Sequence, residues 1–171
     1  MLSLLPGTKP ALIYIEFNAK RIRLTLADSC HSLGQVSLET IPEVAVQQDN
    51  KGSFKLLAVG DEARRLAATK GVKCLNPFDH VRTPLADFYL AEILLKQLVK
   101  RVLPRKLFAK APLLIIQPSD EYAGGLTMIE ERALQELAFA AGAKDSLVYQ
   151  GPRLTGLQDF NELKLQQVKA F

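Results

Sequence analysis

From Leu12 to Phe17 the chain is apolar and β-branched apart from Glu16, and it is bounded by Pro10 and Asn18, which predicts a strand. Arg21 to Leu26 alternates, with Ile22, Leu24 and Leu26 on one face, the period of a half-buried strand. Asn18-Ala19-Lys20 between them predicts a tight turn. Leu33 to Leu38 is the expected third strand of an antiparallel meander. Glu43 to Gln47 and Phe54 to Val59 predict two more short strands, joined by the polar turn Asp49-Asn50-Lys51-Gly52.

The period then changes. Asp61 to Thr69 is rich in Ala and Arg, with Gly71 just past its end, and predicts a helix. Val72 to Val81, with Asn76-Pro77, is expected to be a connector. A longer helix is predicted from Thr83-Pro84 or Asp87 to Val102, with an apolar stripe of Leu90, Ala91, Leu94, Leu95, Leu98 and Val102. Asp87 near its start and Lys96, Lys100 and Arg101 near its end suit the helix dipole, and Pro104 stops it. Leu113 to Ile116 is a continuous apolar run of buried-strand type, followed by a loop from Pro118 to Gly125. Thr127 and Glu130 form a capping-box pair opening a helix that runs to Gly142. Leu147 to Tyr149 predicts a short strand that ends at Gly151-Pro152. In the tail, Leu157, Phe160, Leu163, Val168 and Phe171 recur at roughly helical spacing.

A meander followed by helix–strand–helix–strand predicts an α/β or α+β sheet with helices packed on it, a pattern that suits a ribonuclease-H-like mixed sheet and many others. At 171 residues the chain is long enough for one domain with a core of its own. Net charge is +4, a mild excess that carries little argument for nucleic acid. Lys100, Arg101, Arg105, Lys106 and Lys110 cluster around a helix end. They read either as a solvated terminus or as a site for an acidic partner, an anionic lipid surface or nucleic acid. No aromatic residues interleave with them to stack on bases, so no nucleic-acid partner is expected. Cys30 and Cys74 lie far apart without a CxxC, and His31 and His80 lack ligand partners, so no metal site is expected. Met1 to Gly7 is apolar but too short for a signal peptide, and at most a peripheral membrane contact is expected of Met1 to Leu5. No run reaches the length of a membrane span, and a cytoplasmic location is expected.

Several phrases, in order, resemble the first half of MreB-type bacterial actins. Ala58-Val59-Gly60-Asp61-Glu62-Ala63 is similar to the family's AVGxEA. Pro77, Ala86-Asp87-Phe88, Ala91-Glu92 and Leu95-Lys96 resemble RPLxxGVIADFxxAExMLK, with Asn76 in place of Arg and a slightly longer spacing. Pro118-Ser119 resembles the start of VPSG, Thr127 to Ala133 resembles TxVERRA, and Ala140 to Ala143 resembles the AGA that ends that helix. Ile41 to Val46 is similar to the strand EPSVVAI. The resemblance implies an actin-like half-domain, residues 1–171, with 43–73 as a small inserted subdomain and 157–171 as a C-terminal helical tail.

It also implies where nucleotide chemistry would sit. The family's first phosphate loop reads DLGT, and Glu16-Phe17-Asn18-Ala19 stands there. Glu16 keeps a carboxylate on a longer arm, Asn18 crowds the backbone's approach to phosphate, and Ala19 has no hydroxyl. Glu16, Asn18 and Ala19 are therefore a degenerate nucleotide-binding set. Glu130 matches the family's glutamate in the region that positions the attacking water, but its capping role alone explains it, and no catalytic residue is expected. The loop before it carries Asp120 and Glu121, which repel phosphate, and the family's EEP appears as Gln150-Gly151-Pro152. Nothing after Gly156 resembles the family's second phosphate loop. The expectation is a non-catalytic binding module, without Mg-ATP unless a dimer mate or second chain completes the cleft in trans. The implied partner is an actin-like filament, a cell-shape component or another copy. Leu157, Phe160, Leu163, Val168 and Phe171 are the candidate docking residues, or else the cover that folds back over the exposed face.

Overall fold

The computed structural model describes residues 9–27, 36–104, 110–155 and 160–168. Its centre is a five-stranded sheet built from β1 (Leu12–Phe17), β2 (Ile22–Leu26), β3 (Leu38–Thr40), β7 (Leu113–Pro118) and β8 (Asp145–Val148), in the order β3-β2-β1-β7-β8. The two hairpin pairings are antiparallel, with Ile15 opposite Leu24 and Arg23 opposite Glu39. The two crossover pairings, β1 with β7 and β7 with β8, are parallel. β1 and β7 lie in the middle and are the most apolar strands, because both of their faces are covered.

Two helices cover one face. α2 (Phe88–Val102) is capped by the Asp87 carboxylate, which accepts the Leu90 N–H at 3.0 Å. α3 (Met128–Ala140) is capped by Thr127 and Glu130. Leu94, Leu95 and Leu98 of α2 and Leu134 and Leu137 of α3 meet Ile13, Ile15, Leu114 and Ile116 in the main core. α4 (Phe160–Val168) serves the opposite face, where Phe160 and Leu163 join Leu12, Tyr14, Ile115, Leu147 and Leu154 in a second, smaller core. The side chain of Lys164 reaches Asp145 at 2.7 Å and holds α4 against the start of β8.

A second sheet of β4 (Val44–Gln48), β5 (Phe54–Val59) and β6 (Val72–Leu75), in the order β5-β4-β6, occupies the region expected as an insertion. Its inner residues Val44, Val46 and Val59 belong to the main core. α1 (Asp61–Arg65) follows a tight junction at Gly60, whose φ is 73°. A Cβ there would lie 2.4 Å from the Thr40 hydroxyl, the group that accepts the Asp61 N–H.

Four expectations need correction. Val72 to Leu75 is a strand paired with β4, not a connector: Val72 and Cys74 turn inward and Lys73 and Leu75 outward, an alternation too short to stand out. The helix at Asp61 ends at Arg65, and turn hydrogen bonds from Leu66, Ala67 and Thr69 to residues three back carry the chain to Gly71. The third strand is Leu38–Thr40, later than expected, and residues 33–35 of the predicted stretch lie outside the described residues. The last strand is Asp145–Val148, so it opens before Leu147 and closes one residue short of Tyr149.

Candidate functional site

In a sheet with parallel strands, ligands gather at the carboxyl ends, where loops replace hydrogen-bonded ladder. Here the ends of β1, β7 and β8 converge on the loops 18–21, 118–127 and 149–155.

The first loop is closed on itself. The Asn18 side-chain oxygen accepts the N–H groups of Lys20 at 2.9 Å and Arg21 at 3.0 Å, and the Asn18 N–H goes to the Arg21 carbonyl. The Ala19 carbonyl accepts from the Asn76 amide at 2.7 Å, and the other end of that amide accepts the Phe78 N–H. Of the backbone N–H groups that a phosphate loop would aim at its anion, those of Asn18, Lys20 and Arg21 are thus already bound.

Glu16 is only 6% exposed, a placement a carboxylate tolerates only with a partner. That partner is Arg153, whose guanidinium donates Nε to one carboxylate oxygen at 2.7 Å and an η nitrogen to the other at 3.1 Å. This two-toothed geometry fills both oxygens of the group that would otherwise face a cation. The Glu16 carboxylate in turn raises Arg153 above the ordinary guanidinium value.

Arg153 belongs to a strap that crosses the same face. The buried Tyr14 hydroxyl donates to the Gln117 side-chain oxygen and accepts the Leu154 N–H at 3.3 Å. The Gln117 amide nitrogen donates to the Gly151 carbonyl at 2.6 Å. Burial pushes the Tyr14 phenol up to about 12, with the Glu16 charge adding to the shift and the Leu154 N–H opposing it.

Beside this network lies a cavity of about 430 Å³, lined by Gln117, Ser119, Asp120, Glu121, Tyr122, Gly125 and Gln150 among others. Burial raises the Tyr122 phenol to about 12, and the charges of Asp120 and Glu130 add to it. None of Glu16, Asn18, Ala19 and Glu130 lines this cavity. Glu130 closes the capping box instead, accepting the Thr127 N–H at 2.9 Å and the Thr127 hydroxyl at 2.8 Å. The Thr127 N–H is the largest cause that holds the Glu130 carboxyl below its usual value, with the hydroxyls of Thr127 and Thr83 adding.

The docking candidates are divided. Phe160 and Leu163 are 2% and 3% exposed in the chain's own second core, where they cover the sheet, the second of the two uses expected of them. Leu157 and Phe171 lie outside the described residues, as does the side chain of Val168. Arg153, Tyr14 and Gln117 escaped the sequence reading. Gln117 left a trace, a polar residue ending an apolar run and directly opposite Glu16 across the parallel pairing. Arg153 left none. Among the described residues no group of three His, Cys, Asp or Glu is placed to hold a metal, and no helix is long and apolar enough to cross a membrane.

The sheet order, its pair of covering helices and the small second sheet define the class: the chain has the actin-like fold. MreB5 of Spiroplasma citri bound to ADP superposes with a TM-score of 0.61 over 84% of this chain and 39% of that one, at 18% identity. The MamK double helical filament gives 0.57 over 82% and 40%, at 14% identity. Residues 32–157 match the family model described as MreB/Mbl protein. The cell shape-determining protein Mbl of Bacillus subtilis is 32% identical over 118 residues, covering 67% of this chain and 33% of that protein. The chain belongs to the MreB/Mbl family, and it spans about a third of the length of the curated relatives it matches.

Proposed function

We propose that this chain acts by binding and not by catalysis: a non-catalytic MreB-like module that joins cell-shape or cytoskeletal assembly through a protein partner, either an actin-like filament protein or a second copy. The observation that carries the reading is the Arg153–Glu16 pair. The one carboxylate of the first loop region has both oxygens bound by an internal cation. The adjoining N–H groups are consumed by Asn18, and the neighbouring cavity presents Asp120 and Glu121. Transfer of a phosphoryl group needs donors and metal held around it, and these residues supply neither.

A partner-binding role also draws support from the surface. Tyr89 near the start of α2 and Met128 and Ile129 at the start of α3 are 79%, 81% and 82% exposed. Large apolar side chains left in water at one end of two packed helices are what a protein interface uses.

The alternative is a nucleotide-binding subunit completed in trans, and it is favoured by the 430 Å³ cavity, whose lining includes Gly125 with a φ of 75°. A thermal-shift titration with Mg-ATP and Mg-ADP to millimolar concentration separates the two. A ligand at 100 times its Kd adds about 2.7 kcal/mol of stability, so a real site is visible. The binding-module reading expects no shift, together with co-sedimentation on full-length MreB or Mbl filaments. A saturable shift, or phosphate release lost on Glu130→Ala, replaces it with the trans-completed subunit.

A further inference from the structure

At the end of the domain opposite the loops just described, α2 and α3 finish side by side over the start of β7. Between them lies a shallow groove of about 300 Å³. Val99, Leu103, Pro104, Pro112 and Ala141 give it an apolar floor, and Lys96 and Lys100 rise from one wall. Lys144 stands at the same end, because its N–H bonds the Pro112 carbonyl, and Lys110 precedes that proline by two residues in the approach to β7. All four lysines are exposed. Among the described residues none of the four is ion-paired: Asp145, next to Lys144, is held by Lys164, and Glu136 on α3 is held by Arg132. The basic cluster noted in the sequence is therefore only partly a solvated helix end: Lys100 of that cluster and Lys96 line a concavity, and Lys110 of the cluster and Lys144 lie at the same end of the domain.

The backbone adds a second requirement. The Lys100 carbonyl would take its helical donor from residue 104, which is Pro104 and has no N–H. The Leu103 N–H is already committed to Val99. The groove therefore offers an acceptor as well as cations, at a helix end whose dipole is itself unfavourable to bare anions.

We propose that this groove docks an acidic segment of a partner protein, with one apolar side chain seated on the floor, carboxylates facing Lys96, Lys100, Lys110 and Lys144, and a backbone N–H facing the Lys100 carbonyl. A peptide carries all three features within a few residues. A lipid surface meets a recessed floor poorly, since the apolar atoms here sit below the lysine rim and have nothing to insert. The site is independent of the reading of the nucleotide region, and it holds whether or not that region binds ATP.

The test uses the whole chain and a defined probe: a fluorescent peptide of glutamates and aspartates around one central leucine, against its glutamine and asparagine counterpart. The acidic peptide is expected to bind saturably and to shift the amide resonances of Val99, Leu103, Ala141 and Gly142. Affinity is expected to fall at least tenfold in Lys96→Glu/Lys100→Glu and to weaken steeply with salt. Lys51→Glu/Lys55→Glu, on the distant β4–β5 hairpin, makes the same change in net charge and is expected to leave affinity unchanged. Replacing the leucine with serine is expected to cost several-fold. No saturable binding, equal loss in the two charge-reversal variants, or binding to phosphatidylserine vesicles with none to the peptide each overturns the proposal.

Discussion

Arg153 and Glu16 are 137 positions apart in the chain, yet one guanidinium decides what the other's carboxylate does. Glu16 is almost fully buried and Arg153 half exposed, so the pair lies between the surface and buried limits of ion-pair energetics. Arg153→Ala strands a buried carboxylate and is expected to cost about 1–3 kcal/mol in urea unfolding. Glu16→Gln on that background is expected to recover much of the loss, which a double-mutant cycle measures directly. Tyr14 gives a pH signature. An unfolded tyrosine ionises near 10, while burial holds this one to about 12. The folded state therefore keeps a proton that the unfolded state has lost, so stability is intact below pH 10 and falls as pH rises from there toward 12. Tyr14→Phe is expected to remove a component ionising near pH 12 from the absorbance titration, where Tyr122 remains. None of this was legible in the sequence, because a lone arginine in a loop carries no pattern and its partner is fixed only by folding.

Elements were far more readable than sites, and the reason is local chemistry. Asp87 and the Thr127/Glu130 box are caps written within four residues; the box starts its helix where expected, and Asp87 starts α2 at the later of the two expected positions. Thr127→Ala is expected to cost about 1 kcal/mol, read as a lower melting midpoint with the fold otherwise intact. Because the Glu130 carboxyl is held below its usual value, its contribution is present at neutral pH and is lost as acid protonates it below about 4.5. The Thr127→Ala penalty is accordingly expected to shrink in acid. What failed was the short strand Val72–Leu75, whose two inward residues depend on β4 lying alongside. Four residues of alternation are too few to separate a strand from a connector.

For the molecule as a whole, the second face of the sheet is where prediction and structure met least. The apolar spacing of the tail was visible, but whether it served the chain itself or a partner was not, since both uses need the same stripe. Phe160 and Leu163 cover Leu12, Tyr14, Ile115 and Leu147. Phe160→Ala is expected to cost about 3–5 kcal/mol and to raise binding of a hydrophobic dye, while Leu165→Ala, on the exposed side of α4, is expected to do neither. The strand order has a further consequence, in time. β1 is the sheet's centre and leaves the ribosome before the other described strands, but its neighbour β7 lies about 100 residues later, Leu12 pairing with Leu113. At roughly 5–20 residues per second, that is roughly 5–20 s of synthesis during which one edge of a strongly apolar strand has no ladder to join. Nascent chains of this protein therefore leave one edge of their most apolar strand open for that interval, the kind of unpaired edge that invites wrong pairing until β7 arrives.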